Sequence, residues 1–178
     1  MNAEDYHKLL ESYRTPDPWG FKTHPDDARR KDLIINALSG RKFQRALDYG
    51  CGEGWITADL PADELFGWDI VPEAMARFPE NVQIWDCDST EPFDLVVATG
   101  VLYPWYGGAS AVEKIRSIAS NFILTCHMAE PEIPEVARLG TQIHCEFFAY
   151  RGMNEVLRIF EVPRNDAPAP AFPSQAIP

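Results

Sequence analysis

The chain has 178 residues, of which 46% are apolar and 24% charged, which is enough apolar side chain for one compact core. Its formal net charge is -11, whereas binding to a phosphate backbone requires clustered Lys and Arg. These figures exclude disorder as the main state and argue against a nucleic-acid substrate. The N-terminus lacks an apolar signal segment and no apolar run is long enough to span a membrane, so we expect a cytoplasmic protein with no membrane partner.

Residues 1–45 are predicted to form a helical segment that precedes the core. The run from Tyr6 to Tyr13 mixes apolar and polar side chains and leads into a Pro-rich turn. A second helix is expected to begin after Thr23 as its cap and to stop at Gly40, with its Lys and Arg side chains on a solvated side. Tyr6 and Tyr13 either cover a ligand as a lid or pack the segment onto the core, and packing is the interpretation we favour.

Residues 46–162 alternate short apolar runs with turns and helical segments, the pattern of a parallel sheet with helices on both faces. After Gly140, two β-rich runs separated by a turn at 151–154 predict an antiparallel hairpin at the sheet edge. The expected fold is a single α/β domain with a doubly wound, mostly parallel sheet of about seven strands. Residues 163–178 are rich in Pro and Ala and are predicted to be a flexible tail. The predicted strands are 43–50, 64–70, 81–87, 93–100, 121–128, 142–150 and 155–162. The predicted connecting helices are 55–60 and 72–78, both short, and 108–119.

The segment 48–54 follows the first predicted strand and carries three glycines at alternate positions. Glycine lets the chain turn sharply and lets a ligand approach the backbone closely. The order G-x-G-x-G followed by Trp55 differs from the dinucleotide fingerprint, and no G-K-[ST] of a phosphate-binding loop follows. Because Asp48 and Glu53 place negative charge beside the loop, we expect a cationic ligand that carries adenosine.

Acidic residues also follow the next two predicted strands. Asp69 closes the second strand, where a carboxylate can accept hydrogen bonds from a ribose diol. Asp88, with Asp86 as its rival, is the candidate for the adenine amino group, and Ile70 or Trp85 is the candidate for the apolar face of the ring. Any one aspartate taken alone is more often an ordinary strand-end residue, so the prediction depends on their occurring together.

The segments LDYGCGEG, GWDI, WDCDS and FDLVVATGVLY resemble the successive motifs of class I S-adenosylmethionine-dependent methyltransferases, over about residues 43 to 162. The resemblance implies a Rossmann-like fold in which only the seventh strand is antiparallel, and it implies S-adenosyl-L-methionine as the cofactor. Carried over residue by residue, the three glycines face the methionine part of the cofactor. The cofactor-binding residues implied in this way are Asp48, Gly50, Cys51, Gly52, Gly54, Asp69, Ile70, Asp88, Thr99 and Trp19.

A narrower resemblance is to the NodS-like group, whose namesake N-methylates a chitooligosaccharide precursor. It is carried by the segment DPWGF at 17–21, the segment VLY at 101–103 and His127. The sequence departs from that group at Gly100, where a glutamate is expected, and at Met128, where a tryptophan is expected.

His127 and Tyr103 are the candidate catalytic residues. Methyl transfer depends mainly on positioning and desolvation, and a base is needed only for a hydroxyl or a protonated amine. His127 ends the fifth predicted strand and is the expected base at the carboxyl edge of the sheet, although a capped, hydrogen-bonded histidine is an equal alternative. Tyr103, with Trp19, is expected in the wall of the site, for which core packing is the alternative.

The sequence therefore predicts a methyltransferase that acts on an amine or hydroxyl of a small molecule or saccharide. A non-catalytic cofactor-binding subunit of a larger complex and a protein methyltransferase are the alternatives. No metal is expected, because the four cysteines form no C-x-x-C pair. The sequence gives no indication of the oligomeric state.

Overall fold

The structure, a computed structural model, describes residues 2–131 and 133–163. Two helices precede the sheet, α1 (Ala3–Ser12) and α2 (Pro25–Ala37). The cap of α2 is His24 and not the predicted Thr23, because Nδ1 of His24 accepts the N–H of Asp26 at 3.2 Å. None of the helices within the described ranges is long and apolar enough to cross a bilayer.

The strands form one seven-stranded sheet in the order β3-β2-β1-β4-β5-β7-β6. β7 is antiparallel to both of its neighbours, and the other neighbouring pairs are parallel. The predicted α/β fold, with a mostly parallel sheet and an antiparallel C-terminal hairpin, is confirmed. The strands are β1 (Phe43–Tyr49), β2 (Ala62–Trp68), β3 (Val82–Ile84), β4 (Phe93–Thr99), β5 (Ala119–Met128), β6 (Thr141–Tyr150) and β7 (Met153–Glu161).

The connections on the β1–β3 side of the sheet are shorter than predicted. The expected helix at 55–60 is a 3-10 turn at Thr57–Asp59, and the one at 72–78 is the single turn α3 (Pro72–Met75). Segments this short make too few backbone hydrogen bonds to offset helix nucleation. The fourth helix, α4 (Gly108–Ile118), connects β4 to β5 as predicted.

Both faces of the sheet are buried, as alternation along β4 shows. Leu95 and Val97 pack in the core under α2, whereas Val96 and Ala98 pack in the core under α4. Successive side chains of a strand point to opposite faces, so a run of apolar residues such as β4 is expected where helices cover both.

The C-terminal hairpin closes through a two-residue turn. Tyr150 pairs with Met153, and the turn residues Arg151 and Gly152 have φ of 47° and 79°. Positive φ at both positions is the geometry of a type I′ turn, which matches the twist of the two strands. β7 lies inside the sheet, so β6 alone forms this edge. Most of the predicted tail, from residue 164 onward, lies outside the described residues.

Candidate functional site

A cavity of 840 Å³ lies at the carboxyl ends of β1, β2 and β4, where the strand order reverses. α1 and α2, the start of α4 and the β6–β7 hairpin complete its wall. The structure thus brings most of the predicted site residues to one place. The predicted residues that line the cavity are Asp48, Gly50, Cys51, Gly52, Asp69, Ile70, Thr99, Tyr103 and Trp19.

The backbone of the glycine loop forms part of the cavity wall. Gly50 and Gly52 have φ of 78° and 55°, a region that residues with a side chain rarely adopt. A Cβ on Gly50 would lie 2.2 Å from Cγ1 of Val101, and one on Gly52 would lie 2.7 Å from the hydroxyl of Tyr13. Both positions therefore require glycine for conformation and for space.

Gly54 packs against the segment after α3 and does not line the cavity. It was predicted to face the methionine part of the cofactor. Its φ is 74°, and a Cβ there would lie 3.1 Å from Cδ of Pro79. The absent side chain lets the loop pack against the segment that follows α3.

Asp69 links the glycine loop to the end of β2. Its Oδ2 accepts the N–H of Gly52 at 2.8 Å, and its Oδ1 accepts the N–H of Val71 at 3.0 Å. Burial raises the pKa of Asp69, and these backbone hydrogen bonds act in the opposite direction. Each carboxylate oxygen has a second lone pair, so Asp69 can still accept hydrogen bonds from a ligand in the cavity.

Asp48 is a buried carboxyl group with one unused oxygen. Its Oδ2 accepts the hydroxyl of Thr57 at 2.7 Å, and its Oδ1 has no partner among the described residues. Burial raises the pKa of Asp48 to about 7, with the Thr57 hydrogen bond opposing the shift, Asp69 adding to it and Arg30 opposing it. A buried acceptor without a donor costs free energy, so a ligand that donates to Oδ1 gains affinity.

The adenine-binding role predicted for Asp88 is not supported by its position. β3 ends at Ile84, three residues earlier than predicted, so the following residues form a loop that turns away from the cavity. Asp86 and Asp88 are both exposed, and the N–H of Asp88 donates to Oδ1 of Asp86 at 3.1 Å. Trp85 is buried in the core under α4. Of these candidates, Ile70 alone lines the cavity, beside the stacked rings of Tyr49 and Trp68, whose centroids lie 4.7 Å apart.

His127 is buried inside the sheet and does not line the cavity, which corrects its assignment as a base at the sheet edge. Its side chain is 0% exposed, and its Nδ1 lies 2.9 Å from the carbonyl oxygen of Met128. β5 ends at Met128, where the strand was predicted to end, so His127 lies near the carboxyl edge of the sheet, opposite Val156 of β7. Its position along the strand is as predicted, but its side chain is buried there and does not reach the cavity.

Aromatic side chains surround the mouth of the cavity. Tyr103 stacks on Trp105 with ring centroids 5.0 Å apart, and Trp19 meets the edge of Tyr13 at 6.5 Å. Burial, reinforced by the charge of Glu155, raises the pKa of Tyr103 to about 12, so its hydroxyl stays protonated at neutral pH. Tyr103 therefore lines the wall of the cavity, as expected, and presents a protonated hydroxyl group.

A charged cluster that sequence reasoning missed lies between α2 and the β6–β7 hairpin. Nε of Arg30 is 2.7 Å from Oε2 of Glu155, the hydroxyl of Tyr150 donates to Oδ1 of Asp27 at 2.7 Å, and the guanidinium of Arg151 pairs with Asp27. We call these five residues the α2–hairpin cluster; all except Arg151 line the cavity. Arg30 is buried, against the expectation of a solvated basic helix side. The sequence signal was weak, because the pairing depends on where the hairpin docks.

Glu53 anchors the N-terminal segment and does not contribute charge to the cavity, in contrast to the prediction. Its Oε1 accepts the N–H of Asp17 at 2.9 Å, and its carboxylate pairs with Lys22 at 3.3 Å and Arg77 at 3.2 Å. Burial raises the pKa of Glu53, but these hydrogen bonds and charges outweigh it and hold the pKa below its ordinary value. The side chain therefore fixes the segment that leads from α1 to α2.

The described cysteines form no disulfide bonds. Within residues 2–131 and 133–163, no three His, Cys, Asp or Glu side chains are grouped to hold a metal ion.

Neither a family model nor a curated protein matches this sequence. The structure is similar to that of the N-methyltransferase NodS from Bradyrhizobium japonicum WM9 in complex with S-adenosyl-l-homocysteine, with a TM-score of 0.75, 19% identity and coverage of 89% of this chain and 98% of that chain. Magnesium protoporphyrin IX methyltransferase (ChlM) from Synechocystis PCC 6803 with bound SAM gives a TM-score of 0.64 at 11% identity, covering 91% of this chain and 93% of that chain.

A ribosomal-protein methylase from Lactobacillus delbrueckii subsp. bulgaricus gives a TM-score of 0.60 at 17% identity, covering 76% of this chain and 79% of that chain. At these identities the likeness concerns the fold alone. The chain therefore has the fold of the class I S-adenosylmethionine-dependent methyltransferases, and the likeness to NodS expected from its sequence is present in its structure.

Proposed function

We propose that the chain is an S-adenosylmethionine-dependent methyltransferase that methylates an amine or hydroxyl of a small molecule or saccharide. The observation that carries the proposal is the glycine loop after β1, whose backbone lines a cavity together with Asp69 and the unused oxygen of Asp48. S-adenosylhomocysteine in the NodS structure and SAM in the ChlM structure support this cofactor.

The cavity residues fit the parts of this cofactor. Asp69 is suited to the ribose diol, and Ile70, with the stacked Tyr49 and Trp68, offers an apolar wall to the adenine ring. Thr99 adds a buried hydroxyl oxygen without a partner among the described residues. Trp19 and Cys51 complete this side of the wall.

The amino-acid end of the cofactor is zwitterionic, and the cavity offers a group for each charge. Oδ1 of Asp48 can accept from the ammonium group. A Cβ on Gly100 would lie 3.5 Å from Nη2 and 3.9 Å from Nη1 of Arg30, so the guanidinium of Arg30 faces a position without a side chain. We assign the cofactor carboxylate to this end of the guanidinium, whose Nε pairs with Glu155.

The bound cofactor supplies an electrophilic methyl group, and the chain supplies position and exclusion of water. Tyr13 is buried against the loop at Gly52, and Tyr6 and Leu9 of α1 also line the cavity. The N-terminal segment therefore both packs on the core, as favoured from the sequence, and covers the site. A dry, preformed site favours the in-line approach of an acceptor.

A small acceptor fits the volume of the cavity, which is within the range of small-molecule sites. The exposed faces of Trp19, Trp105 and Tyr106 at the mouth suit a sugar ring or an organic cation. NodS is an N-methyltransferase, and its structural likeness to this chain supports nitrogen as one acceptor atom.

Isothermal titration with S-adenosylhomocysteine, with NAD as the control ligand, tests the cofactor. We expect binding of S-adenosylhomocysteine alone, because the loop lacks the dinucleotide fingerprint. The acceptor class is then tested by transfer of a labelled methyl group to glucosamine, with glucose as the matched compound that lacks the amine. Binding of NAD, or of neither ligand, would contradict the proposal.

Asp69→Ala tests the ribose contact. We expect a loss of at least about tenfold in affinity for S-adenosylhomocysteine, because a charged acceptor is removed from the cavity. Asp63→Ala is the matched control, since Asp63 lies at the start of the same strand and pairs on the surface with Lys42. Equal affinities for the two variants would show that Asp69 does not bind the ribose.

A further inference from the structure

Glu155 lines the cavity from β7, two strands along the sheet from β4, which carries Thr99. It is on β7, opposite Met128 of β5 and Phe148 of β6, and its side chain is 1% exposed although it lines the cavity. Such a position is unusual for a carboxylate, which is rarely buried unless it is paired.

The contacts of Glu155 fall on one of its two oxygens. Oε2 lies 2.7 Å from Nε of Arg30 and accepts the thiol of Cys126 at 3.4 Å. These contacts fix the carboxylate and leave Oε1 for a ligand in the cavity. Arg30 and Cys126 thus act as positioning residues for Glu155.

The charge of the cavity favours a cation beside Glu155. Asp27, the other acid of the α2–hairpin cluster, is neutralised by Arg151, and Glu155 is paired with Arg30. The acids of the wall still outnumber its bases: the lining residues with charge are Asp27, Asp48, Asp69 and Glu155 against Arg30. An anionic acceptor would be repelled by the wall of this cavity, whereas an amine acceptor would not.

We propose that Glu155 is a catalytic residue that binds the attacking nitrogen of an amine acceptor through Oε1. The proposal rests on the methyltransferase function proposed above and narrows it to N-methylation. A hydroxyl acceptor fits less well, because the proton of a hydroxyl must be removed by a stronger base than a carboxylate paired with arginine.

The proton balance of this step is simple. The uncharged amine forms the new C–N bond with its lone pair, the electron pair of the broken C–S bond stays on sulfur, and the positive charge moves to nitrogen. Oε1 of Glu155 accepts a hydrogen bond from the nitrogen and stabilises that charge. The product leaves as the methylammonium ion and exchanges its proton with water outside the cavity.

Sinefungin tests the proposal without a known acceptor, because this cofactor analogue carries an amine where S-adenosylmethionine carries its transferable methyl group. We expect the wild-type protein to bind sinefungin at least about tenfold more tightly than S-adenosylhomocysteine in isothermal titration, the gain from one charge-assisted hydrogen bond. Glu155→Gln is expected to remove this preference while its affinity for S-adenosylhomocysteine stays within about twofold of wild type.

Glu161→Gln is the matched control, because it makes the same change at the exposed end of the same strand, and it should keep the wild-type preference. Glu155→Asp, which keeps the charge but retracts it, is the second variant if Glu155→Gln fails to fold, and it should weaken the preference. No preference in the wild type, an unchanged preference in the Glu155 variants, or an equal loss for both ligands would each overturn the proposal. Absence of binding to either ligand by the wild type would instead overturn the methyltransferase function itself.

Discussion

Asp48 has a buried carboxyl group, whose ionisation costs free energy. It lies inside β1, is 2% exposed, and has the hydroxyl of Thr57 on one oxygen only. Asp69, one strand away, is similarly buried but receives two backbone N–H groups. The two acids therefore differ in how well the protein alone satisfies them, and Asp48 is the one that depends on a ligand.

The stability of the protein is expected to fall with rising pH because of Asp48. Its pKa is about 7 in the folded state and near the ordinary value of 3.8 in the unfolded chain, so the folded state holds a proton that the unfolded chain releases between these values. By linkage this lowers the free energy of unfolding by about 4 kcal/mol from pH 4 to above pH 7. Asp48→Asn should remove this part of the pH dependence in urea unfolding. A difference between variant and wild type that is constant with pH would contradict the expectation.

Residue types that carry chemistry were visible in the sequence, but their surroundings were not. Asp69 lines the cavity, as expected from its place after the second strand. The carboxyl ends of neighbouring parallel strands lie at the same edge of the sheet, so this residue had to lie beside the glycine loop. Asp88 was misplaced because β3 stops three residues earlier than predicted. β5 ends at Met128 as predicted, but the burial of the His127 side chain does not follow from its position in the strand. Glu155 and Arg30 escaped notice because their pairing joins residues distant in sequence.

At the scale of elements, two tertiary connections hold the walls of the cavity. Glu53 ties the N-terminal segment to the glycine loop, and Asp27 ties α2 to the hairpin turn at Arg151. Neither connection involves the backbone hydrogen bonds of the sheet. The walls can therefore be weakened separately from the sheet that supports them.

Glu53→Gln is expected to loosen the N-terminal segment. The amide keeps the shape of the side chain but loses the charge that pairs with Lys22 and Arg77, at a cost of about 2 kcal/mol. Hydrogen exchange should become faster at residues 13–22, with little change in β4. Glu80→Gln, an exposed residue, is the control. Equal exchange in both variants would show that Glu53 does not fix the segment.

Asp27→Ala is expected to cost about 3–5 kcal/mol of stability, because it leaves Arg151 and the hydroxyl of Tyr150 without their shared partner. Asp32→Ala, an exposed position of the same helix, should cost little. Urea unfolding of the two variants gives the comparison. Similar losses would mean that the hairpin is not fixed through Asp27.

At the scale of the whole molecule, the fold could be predicted more completely than the site. Apolar runs of strand length, glycine stops and the alternation of strands with helices determined the fold class and placed all seven strands to within a few residues. The short connections after β1 and β2 were the exception, because a few residues of helical pattern do not show whether a helix will form. The position of β7 inside the sheet was not visible either, since a hairpin pattern does not say which of its strands meets the rest.

A chain that ends at Pro163 is expected to fold and to bind S-adenosylhomocysteine with the affinity of the full chain, within about twofold. Within residues 2–131 and 133–163, which the structure describes, lie all seven strands given above and the cavity-lining residues named here. A chain that ends at Gly140 lacks β6 and β7 and should not fold, because β5 loses its neighbour and α2 loses the hairpin. Circular dichroism and titration check both. A loss of affinity on removing 164–178 alone would assign those residues to the site.

The place of β7 also governs the order in which the protein is assembled during its synthesis. β5 and β6 are synthesised before β7. They form no hydrogen bonds with each other, because β7 lies between them in the sheet. A nascent chain that stops before residue 153 therefore leaves the backbone groups of β5 and β6 that face β7 without partners. Unpaired strand edges of this kind pair with other chains or recruit chaperones. Synthesis of β7, and not the emergence of the glycine loop, is therefore the step that completes the sheet beside the cavity.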